Sequence, residues 1–288
     1  MKKSQKIKII LIIFACVVLD IVLHVVMSSF STMPEDPNFS LLASVLGTEI
    51  TASLWALLAF SVVAFVYFKI RDEIPGEGVK KGIRYGTAIA LLWLFAMLEG
   101  VSLFGNSIIN EFFVGLSDAI PVFLLSVLLS TLHIEKAESY QSVSIPLRQK
   151  MKAVTIFTGV FLMGRYIFYL LGVIQSGIVV RPLETLIWTV LMGFFIGVLF
   201  LLLDSNRNEK NFNHKAVKFG FLIFGLNWAG FLVFMPLLFS GYVTDVFFRI
   251  IIDITLVTLA YYLTIITKSK SVTKTKSEDN VELSKEVC

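Results

Sequence analysis

Residues 184–203 read ETLIWTVLMGFFIGVLFLLL, a run of twenty residues whose one charged side chain is Glu184. A bilayer core about 30 Å thick needs about 20 apolar residues in a helix, so this stretch is long enough to cross it. Its apolarity is continuous rather than alternating, which favours a helix over a strand of a barrel. The stretch therefore predicts a membrane span.

Seven other runs of the same kind occur in the chain. The eight predicted spans are 9–29, 41–67, 84–104, 112–133, 153–173, 184–203, 217–239 and 246–267. Of the 288 residues, 56% are hydrophobic and 16% are charged, whereas soluble domains have about 25% charged residues. The mean hydropathy of +0.82 agrees. This composition excludes a cytosolic enzyme, a disordered protein and a disulfide-stapled secreted domain, and we predict an all-α, polytopic integral membrane protein.

The basic residues predict the orientation of the spans. With the N-terminus inside, all but three of the 25 Lys and Arg residues fall in cytoplasmic segments, in agreement with the positive-inside rule. The exceptions are Arg165, Arg181 and Arg249. We therefore predict a multi-pass protein of the prokaryotic plasma membrane with both termini in the cytoplasm. The first span is too long for a typical signal sequence, so we expect it to be retained.

Similar residues recur at a fixed separation, which predicts an internal duplication. The matched pairs are Phe112 with Phe247, Asp118 with Asp253 and Glu49 with Glu184 at a shift of 135 residues, and Asp20 with Arg165 and His24 with Tyr169 at a shift of 145. Chance similarity between apolar helices is the alternative, but acidic residues are rare in these spans. We predict two parallel four-helix repeats, residues 1–135 and 136–267, followed by a disordered, basic cytoplasmic tail, residues 268–288.

The loop before the predicted third span reads GVKKGIRYG at residues 78–86. This stretch resembles the loop before the third helix in small uncharacterised prokaryotic membrane proteins built from four-helix units, with the pattern GxxKGxxYG. The second half departs from the pattern at Ala216, which replaces the middle glycine. The resemblance implies a four-helix unit and no particular activity.

Ionisable residues inside the predicted spans are the candidate functional residues, because a charge at the centre of a span costs about 2.5–3.5 kcal/mol. They are Asp20, His24, Glu49, Glu99, Asp118, Arg165, Glu184, Arg249 and Asp253. Nearly all lie between the midplane and the predicted outer surface, and carboxylates outnumber bases. We expect an acidic cavity that opens outwards and suits a small cation, an amine or a proton-coupled solute. Asp118 and Asp253 are the sharper candidates because the repeat matches them.

Each candidate also has a structural interpretation in which it only completes a local pair. Residues four apart share a helical face and can bond to each other. The expected pairs are Asp20 with His24, Arg249 with Asp253 and, if the repeat alignment holds, Arg165 with Asp20. Glu49 and Glu184 lie near the predicted outer interface and are expected to reach water.

The chain carries no recognisable catalytic signature. It lacks His-Glu-x-x-His, Gly-x-Ser-x-Gly and a Walker loop. The cysteines and histidines are too scattered for a disulfide framework or a zinc site by sequence alone, and they are Cys16, Cys288, His24, His133 and His214. We therefore expect no catalytic residue, no metal and no cofactor.

Three functions are compatible with the sequence. The first is a transporter or channel, with membrane lipid and a cationic solute or proton as partners and no nucleic acid. The second is a non-enzymatic sensor, accessory subunit or structural protein of the membrane. The third is an intramembrane enzyme built on a dyad of Asp118 and Asp253, which we do not favour because no motif supports it.

Overall fold

The computed structural model of the protein describes residues 3–27, 38–132, 146–204 and 212–286, so the predicted division at 135–136 lies outside it. Eight helices in the described ranges are long and apolar enough to cross a membrane, which confirms the predicted number. Numbered in chain order, span 1 is Lys3–Met27, span 2 Thr48–Ile70, span 3 Val79–Leu103, span 4 Ile108–Thr131, span 5 Leu147–Leu170, span 6 Pro182–Leu203, span 7 Phe212–Leu238 and span 8 Val243–Thr267.

Span 2 begins later than the sequence predicts. Ser40 caps a separate short helix, Leu41–Leu46, by accepting a backbone hydrogen bond in its first turn. Gly47 then adopts a φ of 86°, a conformation that favours glycine, and the short helix ends there. The span itself starts at Thr48. The predicted run from 41 therefore contains a turn, which its continuous apolarity conceals.

Two spans depart from regular α-helix. Span 3 is interrupted at Leu98 and resumes as a short helix, Glu99–Leu103. Span 7 contains a π-helical stretch, Lys218–Gly225, which is followed by regular helix from Leu226. Wide π turns are rare in proteins, and those that occur are often found at functional sites. Both irregular segments lie close in sequence to residues of the buried polar groups described below.

The spans pack in two groups of four. Span 1 packs on spans 2 and 4, and span 3 packs on span 4. Span 5 packs on spans 6 and 8, and span 7 packs on span 8. The two groups meet mainly where span 2 packs on span 7 and span 3 packs on span 6. Spans 2, 3, 6 and 7 therefore form the centre of the bundle.

Aromatic side chains fill this centre. Trp93 and Trp228 are fully buried. The Phe231 ring lies between them, with centroid separations of 5.4 Å to Trp93 and 6.0 Å to Trp228. Trp93 Nε1 donates a hydrogen bond to Asn227 O at 3.2 Å, so the indole also finds a polar partner.

Spans 5 and 6 approach closely at the Gly-xxx-Gly pair of span 6. A Cβ added at Gly193 would lie 2.8 Å from Thr158 Cα, and one added at Gly197 would lie 2.9 Å from Val154 Cα. No side chain fits at such distances without a shift of the backbone. The two glycines therefore allow the helices to meet, as their spacing predicts.

The last helix continues past the membrane span and ends at Glu286. The predicted disordered, basic tail, residues 268–288, overlaps the end of this helix and stays a prediction.

Candidate functional site

Seven of the nine candidate residues form two groups rather than one cavity, and no ion pair joins the groups among the described residues. Glu49 and Glu184 are exposed and belong to neither group. The first group, the arginine network, consists of Glu99, Arg165, Arg249 and Asp253 together with Asp245. The second group, the Asp–His site, consists of Asp20, His24 and Asp118.

Arg165 lies at the centre of the arginine network and is completely buried. Its Nε donates to Asp253 Oδ1 at 2.6 Å and its Nη2 donates to Asp253 Oδ2 at 2.5 Å, which forms a bidentate pair. Its Nη1 donates to Glu99 Oε1 at 3.2 Å and to the Tyr169 hydroxyl at 3.1 Å. Three aromatic rings also lie within 5.2 to 5.8 Å of the guanidinium carbon.

Arg249 extends the network to the loop between spans 5 and 6. Its Nη1 donates to Glu99 Oε1, and its Nε donates to Asp245 Oδ2 at 3.0 Å. Its Nη2 donates to Gln175 O at 2.9 Å, and Gln175 N donates to Asp245 Oδ1 at 2.6 Å. One oxygen of Glu99 therefore accepts hydrogen bonds from both arginines.

The arginine network is fully paired. Each of its three carboxylates accepts hydrogen bonds from an arginine, and Trp228 Nε1 also donates to Asp253 Oδ2 at 2.8 Å. Removing one partner of a buried ion pair costs about 3–5 kcal/mol, because the other charge stays buried and unpaired. The network joins spans 3, 5, 7 and 8, and this arrangement indicates a structural role.

Two expected ion pairs are replaced by others. The sequence predicts an Arg249–Asp253 pair, but Arg249 bonds to Asp245 and Asp253 bonds to Arg165. Both aspartates are four residues from Arg249, and helical side chains lean towards the N-terminus, which favours Asp245. The expected Arg165–Asp20 pair does not form either, because Arg165 uses its donors on residues of spans 3, 5 and 8.

The Asp–His site lies where span 1 packs on span 4. His24 Nε2 is 3.0 Å from Asp118 Oδ1, a hydrogen-bond distance, and 3.9 Å from Asp20 Oδ1. One ligand-type atom from each residue lies within 4.8 Å of the other two. Asp20 and His24 share one face of span 1 as predicted, although His24 bonds to Asp118 on the neighbouring helix rather than to Asp20.

Burial differs within the Asp–His site. The side chains of Asp20 and Asp118 are 4% and 3% exposed, whereas that of His24 is 36% exposed. Asp20 Oδ1 is buried and accepts no hydrogen bond from any described residue. Leaving a buried acceptor unsatisfied costs about 1–3 kcal/mol, and more when it is charged. This oxygen is therefore the unsatisfied atom of the site, and His24 connects it to the surface of the bundle.

The two repeat-matched aspartates have different partners. The oxygens of Asp253 accept hydrogen bonds from Arg165 and Trp228, whereas Asp118 Oδ1 is bonded to His24. A catalytic carboxylate dyad requires the two acids to share a proton. The partners of Asp118 and Asp253 give no support to such a dyad.

Glu49 and Glu184 occupy equivalent positions on two helices. Each is exposed and lies in the first turn of its helix, in span 2 for Glu49 and span 6 for Glu184. A negative charge in the first turn is favoured by the helix dipole, by about 0.3–1 kcal/mol. Their placement therefore agrees with the expected access to solvent and contributes nothing to the buried groups.

Sequence reasoning missed two buried acids, Glu111 and Asp245. The predicted spans began at 112 and 246, one residue too late to include them. Glu111 accepts a hydrogen bond from Asn106 Nδ2 at 2.6 Å, and Gly100 leaves room for its carboxylate. A signal for Asp245 was available, since it lies four residues before Arg249.

Arg181 binds the end of span 3. Its Nε donates to Ser102 O at 2.8 Å and its Nη2 donates to Leu103 O at 2.6 Å. The last carbonyls of a helix have no partner within the helix, so this side chain satisfies two of them. Arg165 and Arg249 bind the first residue of the same short helix. All three arginines outside the predicted cytoplasmic segments therefore meet at the end of span 3.

Comparisons of the chain with protein-family models, with curated proteins and with solved structures found no match. The eight apolar helices define the class of the protein as a multi-span membrane protein in contact with lipid. Within this class, the two groups of buried ionisable residues are the candidate functional features of the described chain.

Proposed function

We propose that this membrane protein transports a small cation, an amine or a proton-coupled solute, and that the Asp–His site binds the cationic species. The site combines two carboxylates with one imidazole, and no lysine or arginine forms an ion pair with it in the described ranges. The observation that carries the proposal is Asp20 Oδ1, a buried oxygen without a hydrogen-bond partner. A bound cation satisfies this oxygen.

The arginine network has a supporting role in this proposal. Its carboxylates already accept hydrogen bonds from Arg165 and Arg249, so a cation would have to displace a buried guanidinium. The network holds four spans and the loop at Gln175 in place. Asp253 is therefore assigned to the frame of the bundle, and Asp118 to the pathway.

We further propose two parallel four-helix repeats in a prokaryotic plasma membrane, with both termini cytoplasmic. The packing pattern supports the duplication. Span 1 contacts spans 2 and 4, and its proposed counterpart, span 5, contacts their counterparts, spans 6 and 8. Between the halves, span 2 contacts span 7, and the counterpart of span 2, span 6, contacts the counterpart of span 7, span 3.

The two buried groups add independent support for the duplication. In the first half, a polar pair on span 1 meets an aspartate on span 4, and in the second half the same arrangement joins spans 5 and 8. The corresponding residues are Asp20 with Arg165, His24 with Tyr169 and Asp118 with Asp253. The resemblance of residues 78–86 to four-helix proteins agrees with such a unit.

The second candidate is a non-enzymatic sensor, accessory subunit or structural protein. The fully paired arginine network favours it, because this network fixes spans 3, 5, 7 and 8 to one another. We do not propose an enzyme. The matched aspartates have separate partners, and the sequence contains no catalytic motif.

Flux through proteoliposomes tests the transport proposal. The full-length protein is reconstituted, and the uptake of protons, Na⁺, methylammonium and Mn²⁺ is measured with entrapped dyes or radiotracers. We expect uptake of at least one of these ions, and we expect Asp118→Asn to abolish it while the protein stays folded. Glu184→Gln is the matched control, since it removes an exposed carboxylate.

Two results would contradict transport. One is the absence of flux for all four probes, and the other is equal flux in the wild type and Asp118→Asn. Co-purification with one fixed partner, together with no flux, would establish the non-enzymatic alternative.

A further inference from the structure

We propose that the Asp–His site is a binding site for a divalent transition-metal ion, with Asp20, His24 and Asp118 as its ligands. The inference rests on the proposed function, because it names the class of cation that binds at the same site. It replaces the expectation from sequence that the chain binds no metal, which rested on the wide spacing of the histidines along the chain.

The distances are those of a site that needs little adjustment. Protein ligands bind zinc at about 2.0–2.2 Å, so two ligands of one ion lie roughly 3–3.5 Å apart. His24 Nε2 and Asp118 Oδ1 are 3.0 Å apart and already meet this condition. Asp20 Oδ1 is 3.9 Å from His24 Nε2 and within 4.8 Å of the ligand oxygen of Asp118, so it has to move inwards by a distance on the order of 1 Å. Oδ1 itself accepts no hydrogen bond, and the Asp20 carboxyl group already interacts with that of Asp118.

The donor atoms select the class of ion. Mg²⁺ and Ca²⁺ are bound by oxygen ligands, whereas an imidazole nitrogen suits Zn²⁺, Fe²⁺, Co²⁺ and similar ions. The three atoms that lie together are one nitrogen and two oxygens. Cu⁺ prefers thiolate or thioether ligands, so this set of donors does not favour it. We therefore assign a first-row divalent ion, and Zn²⁺ is expected to bind more tightly than Mn²⁺.

The charge of the site also favours a divalent ion. Two carboxylates and one neutral imidazole carry a charge of −2 once a metal ion has displaced their protons, and both carboxylates are almost completely buried. A buried charge is costly unless it is paired or bound to a metal. In the second half, arginines provide this compensation, and the Asp–His site has no such partner in the described residues.

The site is suited to exchange of the ion rather than to permanent retention. Three protein ligands leave at least one coordination position open, as in catalytic rather than structural zinc sites. His24 is partly exposed, so an ion held by these three residues would lie near the surface of the bundle. A transported ion must both enter and leave, and a four-ligand cage would oppose this.

Metal binding to the purified full-length protein in detergent provides the test. Binding of Zn²⁺ and Mn²⁺ is measured by equilibrium dialysis, and Co²⁺ is added as a spectroscopic probe. We expect one ion per chain, with Zn²⁺ bound more tightly than Mn²⁺. His24→Ala and Asp118→Asn each remove a ligand, and we expect affinity to fall by about 100-fold or more, since loss of an outer-shell partner alone costs about 10–100-fold.

Matched variants separate loss of a ligand from loss of the fold. His214→Ala removes a histidine at the start of span 7, outside the site, and we expect wild-type affinity. His24→Cys replaces the nitrogen ligand with a thiolate. We expect its Co²⁺ complex to gain a thiolate-to-cobalt charge-transfer band that neither the wild type nor His214→Cys shows.

The outcomes distinguish this inference from the proposed function. Metal binding that depends on His24 and Asp118, without metal flux in vesicles, would support the site and contradict transport of the ion. Flux of protons, Na⁺ or methylammonium without saturable binding of Zn²⁺, Mn²⁺ or Co²⁺ would overturn the metal site and leave transport intact. Binding that is unchanged in both ligand variants would place the ion elsewhere and overturn the inference.

Discussion

The Asp–His site lies where span 1 packs on span 4, and the arginine network centres on spans 5 and 8, which are corresponding places under the proposed duplication, yet the chemistry of the two groups differs. In the network, two arginines and a tryptophan satisfy three carboxylates. In the Asp–His site, one partly exposed histidine faces two buried carboxylates, and one oxygen has no hydrogen-bond partner. Every carboxylate of the arginine network therefore has a hydrogen-bond partner, whereas one carboxylate oxygen of the Asp–His site has none.

This difference shows how residue identity divides stability from binding. The pair on span 5 begins with a permanently charged arginine, and the matched position on span 1 holds an aspartate. A buried group that is fully paired stabilises the frame and resists a ligand. A buried group that lacks a partner lowers the stability of the protein. A ligand that binds this group in the folded state only raises the stability again.

The largest expected effect comes from breaking the arginine network. Arg165→Ala leaves Asp253 without its bidentate partner and removes one of two arginines from Glu99. We expect the free energy of unfolding in detergent to fall by about 3–5 kcal/mol. Arg148→Ala, at an exposed position of the same span, is the control and should leave stability unchanged. An equal loss of unfolding free energy in both variants would show that the arginine network does not stabilise the bundle.

A somewhat smaller effect is expected where spans 5 and 6 meet. Gly197→Ala places a Cβ 2.9 Å from Val154 Cα and forces the two helices apart. We expect a loss of about 1–3 kcal/mol, as in other overpacked contacts. The control is Gly159→Ala, where the added Cβ meets nothing within 4 Å. Equal melting temperatures for the two variants would contradict close packing at Gly197.

The comparison is sharpened by the same substitution in each group. Asp20→Asn replaces a buried carboxyl group whose Oδ1 accepts no hydrogen bond with an amide that carries no charge at any pH, so we expect stability without metal to rise by up to about 1 kcal/mol. Asp253→Asn weakens a buried bidentate pair, and stability should fall. Thermal unfolding of both variants in metal-free detergent shows whether each substitution raises or lowers the stability. A loss of stability in both would mean that the Asp–His site is also a structural pair.

The smallest effect is expected at the exposed acids. Glu184→Gln alters a solvent-exposed side chain in the first turn of span 6, and surface changes of this kind stay within about 0.5 kcal/mol. Neither metal affinity nor flux should change. A measurable loss of either would place Glu184 in the pathway after all.

The sequence predicted the features that depend on composition and helical spacing. Continuous apolarity located all eight spans, because the thickness of a bilayer fixes the length of a helix that crosses it. The spacing of four residues placed Asp20 and His24 on one face. The Gly-xxx-Gly spacing of Gly193 and Gly197 is typical of close helix contacts, and spans 5 and 6 approach closely there.

The partners of the buried charges could not be predicted in the same way. They depend on which helices pack together and at what height, and sequence spacing does not contain this information. Arg249 therefore joined Asp245 rather than Asp253, and Arg165 joined Asp253 rather than Asp20. Small errors at span ends also mattered, because starting a span one residue late excluded Asp245 from the network.

The short helix that ends span 3 has a consequence for the order of assembly. Arg165, Arg181 and Arg249 all bind this helix, and all three follow it in the chain. Since synthesis proceeds from the N-terminus, Glu99 is made long before its guanidinium partners exist. The first four helices are therefore made before the arginines that bind the end of span 3. The second four helices supply these positive charges. A nascent chain stopped after residue 132 should accordingly engage chaperones or be degraded, whereas the finished chain should not.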